Sequence, residues 1–153
     1  PGINWDDIAL IREWTKLPIY LKGILRADDA LKAASLGIDG VIVSNHGGRQ
    51  IDGAISSTEA LPSIVSAANG NMEVWLDSGI RSGSDVFKCI ALGATGVMIG
   101  RPYAMALACN GEQGIIDCIN NIMSELELNM ALSGCHTIND LNSTLVSHPW
   151  KTT

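Results

Sequence analysis

Polar side chains that could carry chemistry cluster at four places in the 153-residue sequence, and one of these clusters combines a histidine with an arginine. His46 and Arg49 lie on either side of the pair Gly47 and Gly48. A histidine titrates near neutral pH and can serve as a general base, and an arginine presents a planar fork that fits a carboxylate. The segment predicts a site that acts on a small carboxylate-bearing substrate. The alternative is a surface loop with an incidental histidine.

Two further clusters have the composition of a phosphate-binding site. They read Asp77-Ser78-Gly79-Ile80-Arg81 and Gly100-Arg101. Glycines expose backbone N–H groups, the arginines bring positive charge, and the helix that follows adds its positive end. Since a carboxylate repels phosphate, Asp77 is expected to accept hydrogen bonds from sugar-like hydroxyl groups instead. Surface salt bridges of Arg81 and Arg101 are the alternative.

The fourth cluster, Leu21-Lys22-Gly23, places a lysine at the end of an apolar run. Lys22 is predicted to aim its positive charge at an electron-rich group of a ligand. Gly23 has no side chain, so it leaves room for a close approach to the backbone. A lysine that only extends its ammonium group from the sheet end into solvent is the alternative.

The elements that would position these clusters follow from the apolar pattern. Continuous apolar runs at residues 19–21, 41–43, 74–76 and 97–99 are typical of strands covered on both faces, as in parallel sheets. Helical patterns lie between them, and this alternation requires right-handed crossovers. The clusters then share the carboxyl edge of one sheet, where α/β barrels and open α/β sheets bind their ligands.

Helix boundaries are predicted from capping residues and from the spacing of apolar positions. Asn4 would begin the first helix, Gly37 would end the second, Thr58 would cap the third, and Ser82 or Ser84 would start the fourth. The predicted ranges are a helix from residue 4, then 27–36, 58–69, 82 or 84 to 93, 112–132 and 137–141, before a weakly patterned tail. The apolar stripes include Ala27, Ala30, Leu31 and Ala34 in the second helix and Ile115, Ile119, Ile122, Leu126 and Met130 in the fifth.

Composition and charge narrow the class of protein. Hydrophobic residues make up 46% and charged residues 17% of the chain, which excludes a disordered polyelectrolyte. The net charge of -6 argues against a nucleic-acid partner, and no apolar run approaches the roughly 20 residues of a membrane span. No secretory signal is visible at the N-terminus. The cysteines and histidines lack metal-ligand spacing, so we expect reduced thiols and no metal site. The sequence shows no linker and no second domain, so we expect a single domain.

Taken together, the clusters resemble the FMN-dependent α-hydroxy acid oxidases and dehydrogenases, which include glycolate oxidase, lactate oxidase, lactate monooxygenase and flavocytochrome b2. The most specific segment is Ser44-Asn45-His46-Gly47-Gly48-Arg49-Gln50, and the resemblance extends from about residue 5 to residue 141. It implies an α/β fold, the C-terminal half of a TIM (β/α)8 barrel with FMN at its mouth. Residues 1–153 would supply barrel strands five to eight and the C-terminal helices. Because a whole barrel typically needs about 250 residues, the chain is expected to be an incomplete piece.

The resemblance also implies a role for each cluster. His46 would be the catalytic base and would bind the substrate together with Arg49, while Lys22 would lie near flavin N1 and O2. Ser44 would contact the flavin. Ser78 stands where many members of the family carry glycine. The ribityl chain and the phosphate would be held by Asp77, Ser78, Gly79, Ile80, Arg81, Gly100 and Arg101.

The implied reaction is oxidation of a small (S)-2-hydroxy acid (glycolate, lactate or a longer one) to the 2-oxo acid, with O2 as the expected electron acceptor. The alternatives are a half-barrel module that binds FMN or phosphate without turnover, and another phosphate-binding barrel enzyme such as an FMN-dependent isomerase. The full-length protein is expected to be an intracellular homo-oligomer, cytoplasmic or peroxisomal, without nucleic-acid or membrane partners. The sequence ends in Lys151-Thr152-Thr153 rather than in a peroxisomal S-K-L tail.

Overall fold

A four-stranded parallel sheet with helices packed against one face makes up the computed structural model, which describes residues 2–147. Its strands lie side by side in chain order, each parallel to the next, so that helices connect them. The parallel α/β fold predicted from the sequence is therefore confirmed. The strands are β1 (Tyr20–Ile24), β2 (Gly40–Val43), β3 (Glu73–Leu76) and β4 (Gly96–Val97), and the helices are α1 (Trp5–Trp14), α2 (Ala27–Ser35), α3 (Ser57–Ala68), α4 (Gly83–Ala91) and α5 (Arg101–Leu132).

The hydrophobic core lies between the sheet and these helices. Val41 of β2 and Leu76 of β3 face the helices and are completely buried, as are Leu61 and Ile64 of α3. Burying a side chain of this size stabilises the fold by about 1.5–3 kcal/mol. This packing fixes the strands relative to one another, so their carboxyl ends form one continuous edge.

The opposite face of the sheet pairs aromatic side chains with glycines. Tyr20 covers Gly40 and Trp75 covers Gly96, and a Cβ atom on either glycine would overlap the aromatic ring. Tyr20 Oη and Trp75 Nε1 both donate to the Glu73 carboxylate, at 2.8 and 2.7 Å. This second face is thus also shaped for close packing, although no helix of the described chain covers it.

The first strand extends further than its apolar run. The sequence predicted a strand over 19–21, whereas β1 continues to Ile24, so that Lys22 and Gly23 lie inside the strand rather than after it. The register with β2 shifts between Lys22 and Ile24, where Gly23 has a φ of +98°. The apolar pattern missed this extension because strand pairing here continues through a polar residue.

The fourth strand is shorter than the predicted range of 97–99. β4 ends at Val97, and Met98 and Ile99 fall outside it. The Met98 N–H group still donates to Leu76 O at 2.8 Å, so the backbone continues alongside β3 for one more residue. The residues directly after β4 therefore remain at the carboxyl edge of the sheet.

Side-chain caps set most of the helix starts. Asn4 caps α1 and Ser82 caps α4, each within a reciprocal capping box. The sequence predicted a helix start near Asn4 and one at Ser82 or Ser84, and of these two serines Ser82 is the cap. The start of the third helix was wrong, because Ser56 rather than Thr58 is its cap and accepts the Glu59 N–H at 3.2 Å. The predicted C-terminal element is a single 3-10 turn, Ile138–Asp140, capped by Thr137.

The fifth helix begins earlier than predicted. The sequence indicated 112–132, but α5 starts at Arg101 and runs through a break at Asn110 and Gly111, which have non-helical dihedral angles. Gly100 precedes the helix without a side-chain cap, so the usual start signal is absent. The break at Gly111 also interrupts the spacing of apolar residues, so this spacing predicted only the part of the helix after the break.

Two of the predicted apolar stripes are partly wrong. Leu31 is 56% exposed because α2 packs through the smaller Ala30 and Ala33, and Ile119 is 46% exposed although Ile122 and Leu126 of the same helix are buried. These exposed residues lie where the described chain has no neighbouring element. The predicted tail follows Leu141; its first part contains a 3-10 turn, Ser143–Leu145, and its residues from 148 onwards lie outside the described residues.

Residues 2–147 contain neither a disulfide bond nor a cluster of side chains that could bind a metal ion. All four cysteines are free, and burial raises the pKa of Cys89 to about 12. Within these residues, no three histidine, cysteine or acidic side chains lie close enough together to hold a metal ion. None of the helices described is both long and apolar enough to cross a lipid bilayer.

Candidate active site

A cleft of about 380 Å³ opens at the carboxyl edge of the sheet and receives residues from all four strand ends. Ser44 lies beneath it, directly after β2, and is only 1% exposed. The structure therefore brings the four sequence clusters to one place. The predicted site residues that line the cleft are Lys22, His46, Arg49, Asp77, Ser78, Gly79, Ile80, Arg81, Gly100 and Arg101.

Sequence reasoning missed several of the residues around this cleft. Met98 and Ile99 were assigned to the fourth strand, but they follow it and line the cleft. Pro102, Tyr103 and Ala104 lie in the first turn of α5, whose start the sequence did not reveal. These residues could have been found only by recognising that the helix begins at Arg101. The sequence gives no such signal, because Gly100 has no capping side chain.

His46 begins a 3-10 turn, His46–Gly48, and takes up a backbone conformation that is unusual for a residue with a side chain. Its φ is +55°, in the left-handed region that favours glycine. Hydrogen bonds fix the turn: the His46 N–H donates to Ser44 Oγ at 3.1 Å, and the Gly48 N–H donates to Asn45 Oδ1 at 3.1 Å. Such a conformation persists only when its surroundings determine it, and it is common at functional sites.

The imidazole of His46 lies directly against β1. A Cβ atom built on Gly23 would stand 2.9 Å from His46 Cε1, closer than real contacts allow. The glycine therefore makes room for the ring at the point where β1 changes register. His46 itself remains exposed towards the cleft, where it can meet a ligand.

Lys22 forms an ion pair across the sheet at the floor of the cleft. Its Nζ lies 2.6 Å from Asp77 Oδ2 and donates to Ser44 Oγ at 2.9 Å. An ammonium group has three donors, so one remains for a ligand. Burial alone would raise the pKa of Asp77. Hydrogen bonds from Lys22 and from serines Ser44 and Ser78, with the lysine's charge, outweigh burial and hold this pKa below its usual range.

Ser78 connects this ion pair to the histidine turn. Its hydroxyl donates to Asp77 Oδ1 at 2.7 Å and accepts the Gly47 N–H at 2.9 Å. Like His46, it has a positive φ, here +74°. A single hydroxyl thus joins the end of β3 to the turn that follows β2.

Arg81 and Arg101 stand near the N-terminal ends of α4 and α5, where backbone N–H groups attract anions. The end of α4 is already occupied, because Asp85 accepts the Arg81 N–H at 3.0 Å and completes the capping box. The end of α5 has no side-chain cap. The positive helix end expected at the phosphate site is thus free at α5 and filled at α4.

The guanidinium of Arg101 also reaches the histidine turn. Its Nη2 donates to Gly47 O at 3.0 Å, although the two residues are far apart in the chain. Two glycines at the same end of the cleft, Gly79 and Gly100, face open space, since a Cβ atom on either would meet nothing within 4 Å. Cationic side chains, a free helix end and open glycines together form a cradle suited to a phosphate.

The sequence as a whole shows which family the chain belongs to. A family model described as FMN-dependent dehydrogenase matches residues 1–148. The chain belongs to this family. FMN is the cofactor of the family, and the resemblance inferred from the sequence clusters is confirmed.

Curated members of the FMN-dependent dehydrogenase family match nearly all of the chain. It is 49% identical over 146 residues to 2-hydroxyacid oxidase 1 of Mus musculus, a match that covers 95% of the chain and 40% of that protein. It is 50% identical over 140 residues to a peroxisomal (S)-2-hydroxyacid oxidase of Arabidopsis thaliana, covering 92% of the chain and 39% of that protein. Other relatives are named L-lactate oxidase and L-lactate dehydrogenase. The chain spans about two fifths of the length of these relatives.

Solved structures of family members show the same fold. A mandelate oxidase variant with a monooxide FMN adduct superposes with a TM-score of 0.88 at 44% identity, over 92% of this chain and 45% of that one. The same enzyme has also been solved with (S)-mandelic acid. The described sheet and helices thus match part of an FMN-dependent oxidase.

The polar groups around the cleft fit the chemical groups of FMN. Its phosphate is anionic and suits Arg101, Arg81 and the free end of α5. Its ribityl chain carries hydroxyl groups, for which the Asp77 carboxylate still has acceptor capacity. Its flavin ring gains negative charge on reduction, and the remaining N–H of Lys22 can meet that charge. The described residues therefore provide a complementary partner for each part of the cofactor.

Proposed function

We propose that residues 1–153 form the last four βα units and the C-terminal helices of a TIM barrel, within one FMN-dependent hydroxy acid dehydrogenase domain. The full-length protein oxidises a small (S)-2-hydroxy acid, such as glycolate, lactate or a longer one, to the 2-oxo acid. The observation that carries the proposal is that His46 and Arg49 share one cleft with Lys22, Arg81 and Arg101. A base and a carboxylate-binding group thus lie beside a site that suits a flavin phosphate.

Each polar residue has a task in this reaction. The His46 imidazole accepts a proton from the 2-hydroxy acid, and Arg49 binds the substrate carboxylate through its planar fork. FMN, when bound, would accept the second hydrogen together with the electron pair, which is a hydride equivalent, and so supply the redox chemistry. Lys22 stabilises negative charge next to the flavin ring, and Ser44 holds Lys22 in place at 2.9 Å.

The remaining site residues hold the cofactor. Arg81 and Arg101, with Gly79 and Gly100, bind the phosphate, while Asp77 accepts hydrogen bonds from the ribityl chain. Ser78 and Ile80 complete this wall of the cleft. The first four βα units of the barrel then close the cleft from the side that the present chain leaves open.

O2 is the electron acceptor, and the full-length enzyme is an intracellular homo-oligomer in the cytoplasm or in peroxisomes. The relatives named as oxidases support O2, and the relative from Arabidopsis thaliana named as peroxisomal supports the second compartment. Relatives named as dehydrogenases favour a different acceptor, and the titration below distinguishes the two.

An anaerobic titration tests the proposal directly. The full-length protein, loaded with FMN, is mixed without oxygen with glycolate, L-lactate or a longer (S)-2-hydroxy acid, and D-lactate serves as the matched control. We expect at least one (S)-acid to bleach the yellow flavin absorbance, and admission of O2 to restore it with formation of hydrogen peroxide. A flavin that stays yellow with every acid would refute the proposed activity. Bleaching that O2 does not reverse would refute O2 as acceptor.

A further inference from the structure

We propose that Ser78 is a positioning residue for His46: its hydroxyl holds the peptide between His46 and Gly47 and thereby orients the imidazole in the cleft. The inference rests on the function proposed above and extends it to a residue that contacts neither of the reacting groups in that proposal. It follows from two hydrogen bonds and two unusual backbone conformations in the described chain.

The histidine turn is held on both sides by serines from neighbouring strands. Ser44, which directly follows β2, accepts the His46 N–H at 3.1 Å, and Ser78, beyond the end of β3, accepts the next N–H in the chain, that of Gly47, at 2.9 Å. Both peptide groups that flank the His46 side chain are therefore fixed. Rotation of either one would swing the imidazole away from Gly23, which it now contacts.

The left-handed conformation of His46 makes this support necessary. With a φ of +55°, the residue would relax towards an ordinary conformation if its neighbours allowed it. Ser78 itself has a φ of +74°, a value at which glycine is less strained than serine. Compared with glycine, which adopts this conformation without strain, serine adds only the hydroxyl group that binds the Gly47 N–H.

The hydroxyl also joins the turn to the ion pair below it. Ser78 donates to Asp77 Oδ1 at 2.7 Å, and Asp77 Oδ2 lies 2.6 Å from Lys22 Nζ. Because the hydroxyl hydrogen is committed to this carboxylate, the oxygen lone pairs face the Gly47 N–H. Ser78 thus sets the histidine turn relative to Lys22, the residue that faces the flavin in the proposed function.

Two substitutions separate the hydroxyl from the backbone strain. Ser78→Gly removes the hydroxyl and relieves the strain, whereas Ser78→Ala removes the hydroxyl and keeps the strain. In the FMN-loaded full-length protein we expect both variants to lower the rate constant of flavin reduction by about three- to tenfold, the factor that loss of about one hydrogen bond implies. We expect the thermal midpoint to stay level or rise in the glycine variant only.

Hydrogen–deuterium exchange gives a readout that does not depend on turnover. The peptide that contains Gly47 should exchange about three- to tenfold faster in both variants, since its N–H has lost an acceptor. The dissociation constant of oxalate, a carboxylate with no C–H proton to lose, should change less than the reduction rate constant. The matched control is Asn69→Gly, which relieves a φ of +46° at the end of α3 and should change neither quantity.

The outcomes separate cleanly. Faster exchange with unchanged reduction would make Ser78 a structural residue only and overturn the proposal, as would unchanged exchange in either variant. Slower reduction in the alanine variant alone would trace the effect to the backbone and not to the hydroxyl. If the parent protein is not reduced by any 2-hydroxy acid, the proposed function fails, and the exchange result alone decides whether Ser78 holds the turn.

Discussion

His46 owes its orientation to residues that have no chemistry of their own. Gly23 leaves the space that the ring fills, and Ser44 holds the backbone N–H of the histidine. A general base must lie within hydrogen-bond reach of the proton that it removes, so geometry comes before pKa in judging the assignment. His46 is exposed and lines the cleft, which is the position that the proposed base needs.

Replacement of His46, the proposed base, should separate cofactor binding from the chemical step. We expect His46→Ala to retain FMN, because the cofactor-binding groups are untouched, while flavin reduction slows by about 10²–10⁴-fold, the usual contribution of a general base. Anaerobic stopped-flow absorbance measures the rate constant, and the retained flavin spectrum measures binding. His136→Ala, at an exposed position after α5, is the matched control and should behave as the parent. Equal rates in the two variants would remove His46 from this role.

The low pKa of Asp77 predicts a pH-dependent contribution to stability. A carboxyl whose folded pKa lies below its unfolded value of about 3.9 stabilises the protein above that pH and loses the contribution as pH falls through the folded pKa. We expect Asp77→Asn to lower the free energy of unfolding at pH 7 by about 1–3 kcal/mol. The difference from the parent should shrink below about pH 4.

The thermal midpoint of the full-length protein, measured from pH 7 down to pH 3.5, checks this expectation. Glu127→Gln removes a negative charge at an exposed site on α5 and serves as the control, with little effect at any pH. A penalty for Asp77→Asn that is the same at every pH would show that the ion pair with Lys22 is not its source.

At the scale of secondary structure, the site depends on the position of Gly23, the residue of β1 that has no side chain. Gly23 combines a φ of +98° with the close approach of His46, so the strand end has both a conformational and a steric requirement. The strand therefore does more than carry Lys22 to the cleft. It also provides the surface against which the His46 ring lies.

Gly23→Ala should displace the histidine. The new Cβ would stand 2.9 Å from His46 Cε1, so we expect flavin reduction to slow at least about tenfold. Stability should fall by more than about 1 kcal/mol, because alanine is strained at this φ. Gly37→Ala is a matched control, with a φ of +69° and no atom near the new Cβ. Both variants should lose thermal stability, and slower reduction in both would argue against the specific contact.

The sequence predicted the elements better than their ends. Continuous apolar runs identified all four strands, but β1 continues through Lys22 because backbone pairing does not stop at a polar side chain. The start of α5 was hidden because Gly100 offers no capping side chain. The residue types of the site could be read directly, whereas the link from Ser78 to Gly47 depends on how the turn after β2 folds across β3, which no local pattern encodes.

At the scale of the whole molecule, the described chain is open. Both β1 and β4 have a neighbour on one side only, and the face with Tyr20 and Trp75 has no covering layer within residues 2–147. The chain exposes 9445 Å². A compact monomer of 16.2 kDa is expected to expose roughly 7,500 Å². This excess is consistent with a sheet that continues into further barrel strands.

The isolated 153 residues should therefore behave differently from the full-length protein. We expect the isolated chain to bind the dye ANS and to associate as its concentration rises, because unpaired strand edges and apolar surface are exposed. FMN should not be retained through gel filtration. Light scattering and dye fluorescence measure these properties, with the full-length protein as control. A monomeric chain that binds FMN tightly and does not bind ANS would instead support an independent half-barrel binding module.

The contact between Arg101 and Gly47 has a consequence for protein engineering. In the proposed site one guanidinium would contact the anion, and it also donates a 3.0 Å hydrogen bond to the carbonyl oxygen of Gly47, in the loop that carries His46. If Arg101 binds the flavin phosphate as proposed, library designs that change the backbone path of this loop are expected to weaken retention of FMN as well. Screens of such libraries should measure flavin absorbance and turnover separately. Otherwise a variant whose pocket accepts a bulkier acid would be discarded only because it retains little FMN.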